Sequence, residues 1–146
     1  MIKLYTIGFT QKNAKEFFNL LVSNSVKSLV DTRISNNSQL AGFAKSEDLA
    51  FFSQKIGNMH YSHNIDLAPT KDLLTKFRKK EISWDDYEIE YLNLLDIRKI
   101  SSKINYEDLN DSCFLCSEHT PEHCHRRLLV EYLQKVDSNI EIKHLY

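Results

Sequence analysis

The chain has 146 residues, 42% of them hydrophobic and 27% charged, with 19 Lys plus Arg against 20 Asp plus Glu for a formal charge of −1. That length suits one globular domain able to bury a core without staples, and the balanced charge excludes a chain-wide basic footprint for nucleic acid while leaving a local patch open. Three Gly and two Pro exclude a collagenous or low-complexity chain and argue against an all-β sandwich.

Taken in chain order, residues 2–7 form a compact apolar run closed by Gly8, the pattern of a strand ending in a turn. Asn13 followed by Glu16 predicts a helix start, with Phe17, Leu20 and Leu21 on one face. Residues 26–30 predict a second strand that stops at Asp31, Thr32 and Arg33. Residues 34–41 show no period and predict a loop. Ser46 predicts a helix cap, followed by Leu49, Phe52 and Ile56, with Gly57 as the stop. Phe17, Phe18, Phe51 and Phe52 all fall on these helices and read as core.

Residues 59–65 predict a third, weaker strand. Helices follow over residues 70–80 and 83–100, the second marked by Trp84, Tyr87, Tyr91 and Leu95, which read as core or interface. Residues 112–117 predict a fourth strand. Thr120 with Pro121 predicts the start of a helix carrying Leu129, Leu133 and Val136, and residues 140–145 alternate as a fifth strand. The order predicts a single three-layer α/β/α domain over residues 1–146, with a mainly parallel sheet of about five strands. Ligands of such sheets sit outside the strand carboxyl ends, here Gly8, Asp31 to Arg33, His63 to Asp66 and Cys116 to Glu118.

No run approaches the ~18 apolar residues of a spanning helix, and the N-terminus lacks a signal peptide's apolar segment. A cytoplasmic protein with no membrane partner is expected. Three Cys, an odd number, do not make a disulfide framework, so free thiols in a reducing compartment are expected.

Chemistry-bearing residues are densest over residues 113–129, CFLCSEHTPEHCHRRLL. Cys113 and Cys116 mimic a zinc CxxC, but within a strand they point to opposite faces and cannot chelate together. No metal and no other cofactor is therefore expected, although a metal-binding protein stays as an alternative. The favoured reading is a thiol or anion site. Cys116 lies at a strand end and Cys124 in the first two turns of the next helix, where free N–H groups favour a thiolate or a bound anion. Arg126 and Arg127 add cations, Glu118 is a candidate base or Arg-orienting group, and His125 titrates near neutrality. Packing is the competing reading, with Cys113 as core and Glu118–Arg126 as a structural ion pair. His119 and His123 read as exposed turn residues, His60 and His144 as ordinary surface or strand positions. Asp31 and Arg33, two apart at a strand end, suggest an Arg that grips an anion while the carboxylate holds it in place.

The segments TIGFT (6–10), LVDTR (29–33) and GFAK (42–45), the strand with His63, and CSEHTPEHCHRRLL (116–129) together resemble the family called domain of unknown function 488. The resemblance runs from Thr6 to about Leu133 and places the family pattern on Gly8, Asp31, Arg33, Phe43, Lys45, His63, Cys116, Glu118, Cys124, His125 and Arg126. Phe9 stands where members commonly carry His, Ala44 where they carry Asn, and Ala68-Pro69 where they carry a glycine pair. The resemblance implies fold and site more than a reaction. A weaker analogy to rhodanese-like domains fails, because Cys116 and Arg126 are too far apart for a short Cys-to-Arg cradle.

Together these readings give an anionic-ligand site, for a nucleotide or nucleic-acid phosphate, in a hydrolase or transferase. Candidate catalytic residues are Cys116, Glu118, Cys124 and His125; candidate ligand-binding residues are Gly8, Asp31, Arg33, Lys45, His63 and Arg126. The alternative is a non-catalytic interaction module with a structural polar network. A homodimer is compatible with either.

Overall fold

The computed structural model describes residues 1–35 and 42–146, so the predicted loop over 34–41 lies outside the described residues from position 36 onward. The strands are β1 (Ile2–Gly8), β2 (Ser28–Asp31), β3 (His60–His63), β4 (Ser112–Cys116) and β5 (Ile140–Leu145). The helices are α1 (Ala14–Ser23), α2 (Ser46–Gly57), α3 (Lys71–Arg78), α4 (Trp84–Ile97), the single turn α5 (Ile100–Lys103) and α6 (His125–Val136). The sheet runs β3-β2-β4-β1-β5, and every neighbouring pair is parallel. Parallel neighbours need crossovers, which the intervening helices supply on both faces.

Strand alternation divides the core. Cys113 and Leu115 of β4 join Phe17, Phe18, Leu21 and Leu49 on the α1/α2 face, whereas Phe114 joins Tyr91, Leu95, Leu129 and Leu133 on the α4/α6 face. All five residues of β4 are buried, as expected for the central strand of a sheet covered on both sides. Local chemistry sets several helix starts. The side chains of Asn13, Thr70 and Ser83 accept from the backbone N–H groups of Glu16, Leu73 and Asp86.

Three local expectations are corrected. Ser46 is the first helical residue of α2, and Lys45, which makes no side-chain cap bond, occupies the cap. Gly57 ends that helix as expected, and Asn58 takes the left-handed turn at φ 51°, since an Asn side chain tolerates that region. Phe51 is 56% exposed and lies edge-on to Phe52 from outside the core. The last helix starts at His125 with Cys124 as its cap, not near Thr120. Arg126 draws the carbonyls of Glu118 and His119 toward its guanidinium, which holds the preceding segment over the sheet end in a non-helical path.

No helix among the described residues is long and apolar enough to cross a membrane.

Candidate functional site

The carboxyl end of β2 presents a fixed arginine. Asp31 Oδ1 accepts from Arg33 Nε at 2.8 Å and Oδ2 from Arg33 Nη2 at 2.7 Å, a two-point pair buried on both sides. Tyr61 Oη donates to the same carboxylate at 2.6 Å, and Arg33 Nη2 also donates to the Ala44 carbonyl at 2.7 Å. The guanidinium lies over the Phe9 ring, 5.2 Å from its centroid. His63 Nε2 meets the Arg33 carbonyl at 2.6 Å and so steadies the backbone. One group is left over. Arg33 Nη1 is buried and makes no hydrogen bond among the described residues.

The carboxyl end of β4 is built around Gly8 and Arg126. Gly8 stands in register beside Cys116, and a Cβ added there would overlap the Glu118 carbonyl; only a hydrogen fits. Arg126 is fully buried. Its Nη1 donates to the Glu118 carbonyl and to Cys116 Sγ (3.1 Å), and its Nη2 to the His119 carbonyl at 3.2 Å. Desolvation pushes its pKa down to about 10, so it stays charged at neutral pH. The competing reading of a Glu118–Arg126 ion pair is not met among the described residues: the guanidinium binds the main chain, and the Glu118 side chain is exposed.

The expectation of three free thiols is also corrected. Cys116 and Cys124 are joined as a disulfide, since the extended backbone of Cys124 at the helix cap lies over the end of β4. Cys113 is free and buried, and burial pushes its thiol pKa up, out of reach of nucleophilic chemistry near neutrality. The CxxC pair does not converge. Cys116, Cys124 and His125 converge instead, with their candidate ligand atoms within 4.8 Å of one another.

His125 is anchored by its Nε2, which lies 2.9 Å from the Thr32 carbonyl and 3.0 Å from Thr32 Oγ1, and its ring meets Tyr91 edge-on at 5.5 Å. Desolvation pushes its pKa down to about 4, from the usual 6.5 of an imidazole. Above pH 6.5 the imidazole is neutral folded and unfolded, and its contribution to stability is fully present. As pH falls below that value only the unfolded chain takes up the proton, so stability drains away down to about pH 4, by up to about 3 kcal/mol. Urea unfolding of the protein and of His125→Asn at several pH values is expected to show this extra acid sensitivity in the parent alone.

These ends open on one cleft of about 870 Å³. Arg33, Cys116, Glu118, Cys124 and His125 line it, so two segments far apart in sequence share a rim. Gly8, Asp31 and Arg126 stand behind the wall as support, and Lys45 and His63 do not line it. Sequence reasoning missed Lys71 and Arg78, both exposed at the cleft. Their spacing of seven puts them on one side of α3, which is the signal that would have found them. His123, an exposed turn residue as expected, also lines the cleft and stacks on Trp84 at 4.9 Å, while His144, at a strand position as expected, meets Thr6 Oγ1 at 2.6 Å.

The sequence model described as domain of unknown function DUF488 matches residues 13–133. The chain belongs to this family. Comparison with curated proteins and with solved structures gives no match. The DUF488 span contains every residue named above as lining the cleft, together with the Asp31–Arg33 pair and Arg126, while Gly8 precedes it. The DUF488 description attaches no reaction to these residues.

Proposed function

We propose that the cleft binds a small anionic ligand bearing phosphate, such as a nucleotide or the backbone of a nucleic acid. The observation that carries this reading is Arg33 Nη1, a buried N–H donor group without a partner among the described residues, on a guanidinium that lines the cleft. Leaving a charged donor unpaired costs more than an ordinary missed hydrogen bond, and a ligand oxygen would remove that cost. Charge supports the same reading. Lys71 and Arg78 line the cleft against the carboxylate of Glu118, while Arg33 is already paired with Asp31, and no hydrogen bond or ion pair engages the side chains of Lys71 and Arg78 among the described residues. Glu118 is the base available to a hydrolytic or transfer step, placed at the cleft by the hold of Arg126 on its carbonyl.

A non-catalytic module is the second reading, favoured by the bonds that engage Asp31 and both terminal nitrogens of Arg126 inside the protein. Thermal-shift measurements with inorganic phosphate, nucleotides and short oligonucleotides separate the two. A phosphate-bearing ligand at a hundred times its Kd is expected to stabilise by about 2.7 kcal/mol. Arg78→Ala, at an exposed position, keeps the melting temperature of the free protein but weakens that stabilisation. No shift with any member of the panel would favour the module.

A further inference from the structure

We propose that Cys116, Cys124 and His125, with the two sulfurs reduced, form a three-ligand site for a thiophilic divalent ion of the zinc type whose fourth position opens into the cleft. The three side chains are buried and mutually within 4.8 Å. Two thiolates and one imidazole are a recognised zinc set, and three protein ligands with an open position distinguish reactive from closed structural sites.

The imidazole is arranged as a ligand. Its Nε2 faces the Thr32 carbonyl, an acceptor only, so the proton sits on Nε2 and the lone pair on Nδ1. Holding a histidine through its far nitrogen on a backbone carbonyl is how metal-binding imidazoles are oriented. Nδ1 makes no hydrogen bond among the described residues, and a disulfide gives that nitrogen nothing to do. The Tyr91 ring, edge-on at 5.5 Å, fixes the plane.

The sulfurs are arranged as thiolates. Arg126 Nη1 stands 3.1 Å from Cys116 Sγ and 3.9 Å from Cys124 Sγ. A buried cation favours deprotonated sulfur and is of little use to a neutral disulfide. Two thiolates neutralise a divalent ion, and Arg126 then leaves one positive charge in surplus, which suits water, hydroxide or an anion at the open position. The Cα atoms of the pair are 7.6 Å apart, room for the sulfurs to stand about 3.7 Å from each other across an ion with ~2.3 Å bonds.

The steps balance. A phosphine takes oxygen from water and becomes its oxide, the S–S bond receives two electrons, and the two protons of that water complete two S–H groups. Binding then expels one proton from each thiol to solvent, and the ion keeps its oxidation state. The site stands independently of the anion reading.

The test is a cobalt(II) titration of phosphine-reduced protein, its three thiols counted by mass. The expected result is a thiolate-to-cobalt band in the near ultraviolet with intense tetrahedral bands in the visible, reaching an end point at one ion per chain and displaced by zinc. Cys124→Ser and His125→Phe, checked for fold by circular dichroism, are expected to weaken binding by at least about tenfold, whereas Cys113→Ser leaves it intact. A reduced parent protein that gives no such band overturns the proposal. So does a pair that resists reduction in the folded protein, or a band undiminished in either variant. The cobalt titration is carried out without phosphate and the anion reading is tested by thermal shift, so failure of either shows separately.

Discussion

Replacing Arg126 with methionine is expected to lower the unfolding free energy by about 3–5 kcal/mol, or about 10 °C in Tm for a domain of this size. Methionine roughly fills the space of the arginine stem, so the loss measures the head group. That head group binds the carbonyls of Glu118 and His119 and the sulfur of Cys116 from a fully buried position. Hydrogen bonds from a charged donor contribute about 1.5–3 kcal/mol each, and their part-buried carbonyl partners would lose that donor. The segment over Gly8 should also loosen, so faster amide exchange across residues 117–123 is expected in any fraction that still folds. A loss below about 1 kcal/mol would mean that the segment is held by something other than this guanidinium.

The second large effect belongs to Asp31 and Arg33. Asp31→Asn leaves a buried guanidinium without its carboxylate, and Arg33→Met leaves the reverse; each is expected to cost about 3–5 kcal/mol in urea unfolding. The double variant is expected to be more stable than the sum of the two predicts, by about 1–3 kcal/mol, because neither charge is then stranded. It also separates architecture from binding. A folded double variant keeps the cleft but lacks Nη1, so it is expected to lose phosphate-dependent stabilisation entirely. Full retention would show that Arg33 serves packing alone.

Much of this was readable from the chain. The apolar runs at β1 and β4 specify central strands, and Asn13, Thr70 and Ser83 mark helix starts because their side chains satisfy free N–H groups. Asp31 and Arg33 were found because a carboxylate and a guanidinium two apart at a strand end have few partners nearer than each other. Other features were not local and so not readable. Thr120-Pro121 carries a helix-start signal, but bonds from Arg126 back to the carbonyls of Glu118 and His119 override it and delay the helix to His125. The meeting of Cys116 with Cys124 follows from that delay, as does the failure of the CxxC spacing to describe the cluster. Lys71 and Arg78 were passed over because two exposed cations on a polar helix look like a solvated face until the cleft beside them is seen.

Most direct of all is a crystal structure of the protein grown with saturating pyrophosphate. An oxygen of the anion is predicted within about 2.7–3.2 Å of Arg33 Nη1, with Arg78 closing on it from the other side. A cleft without the anion at saturating concentration, or an anion bound while Nη1 stays unpartnered, would contradict the account.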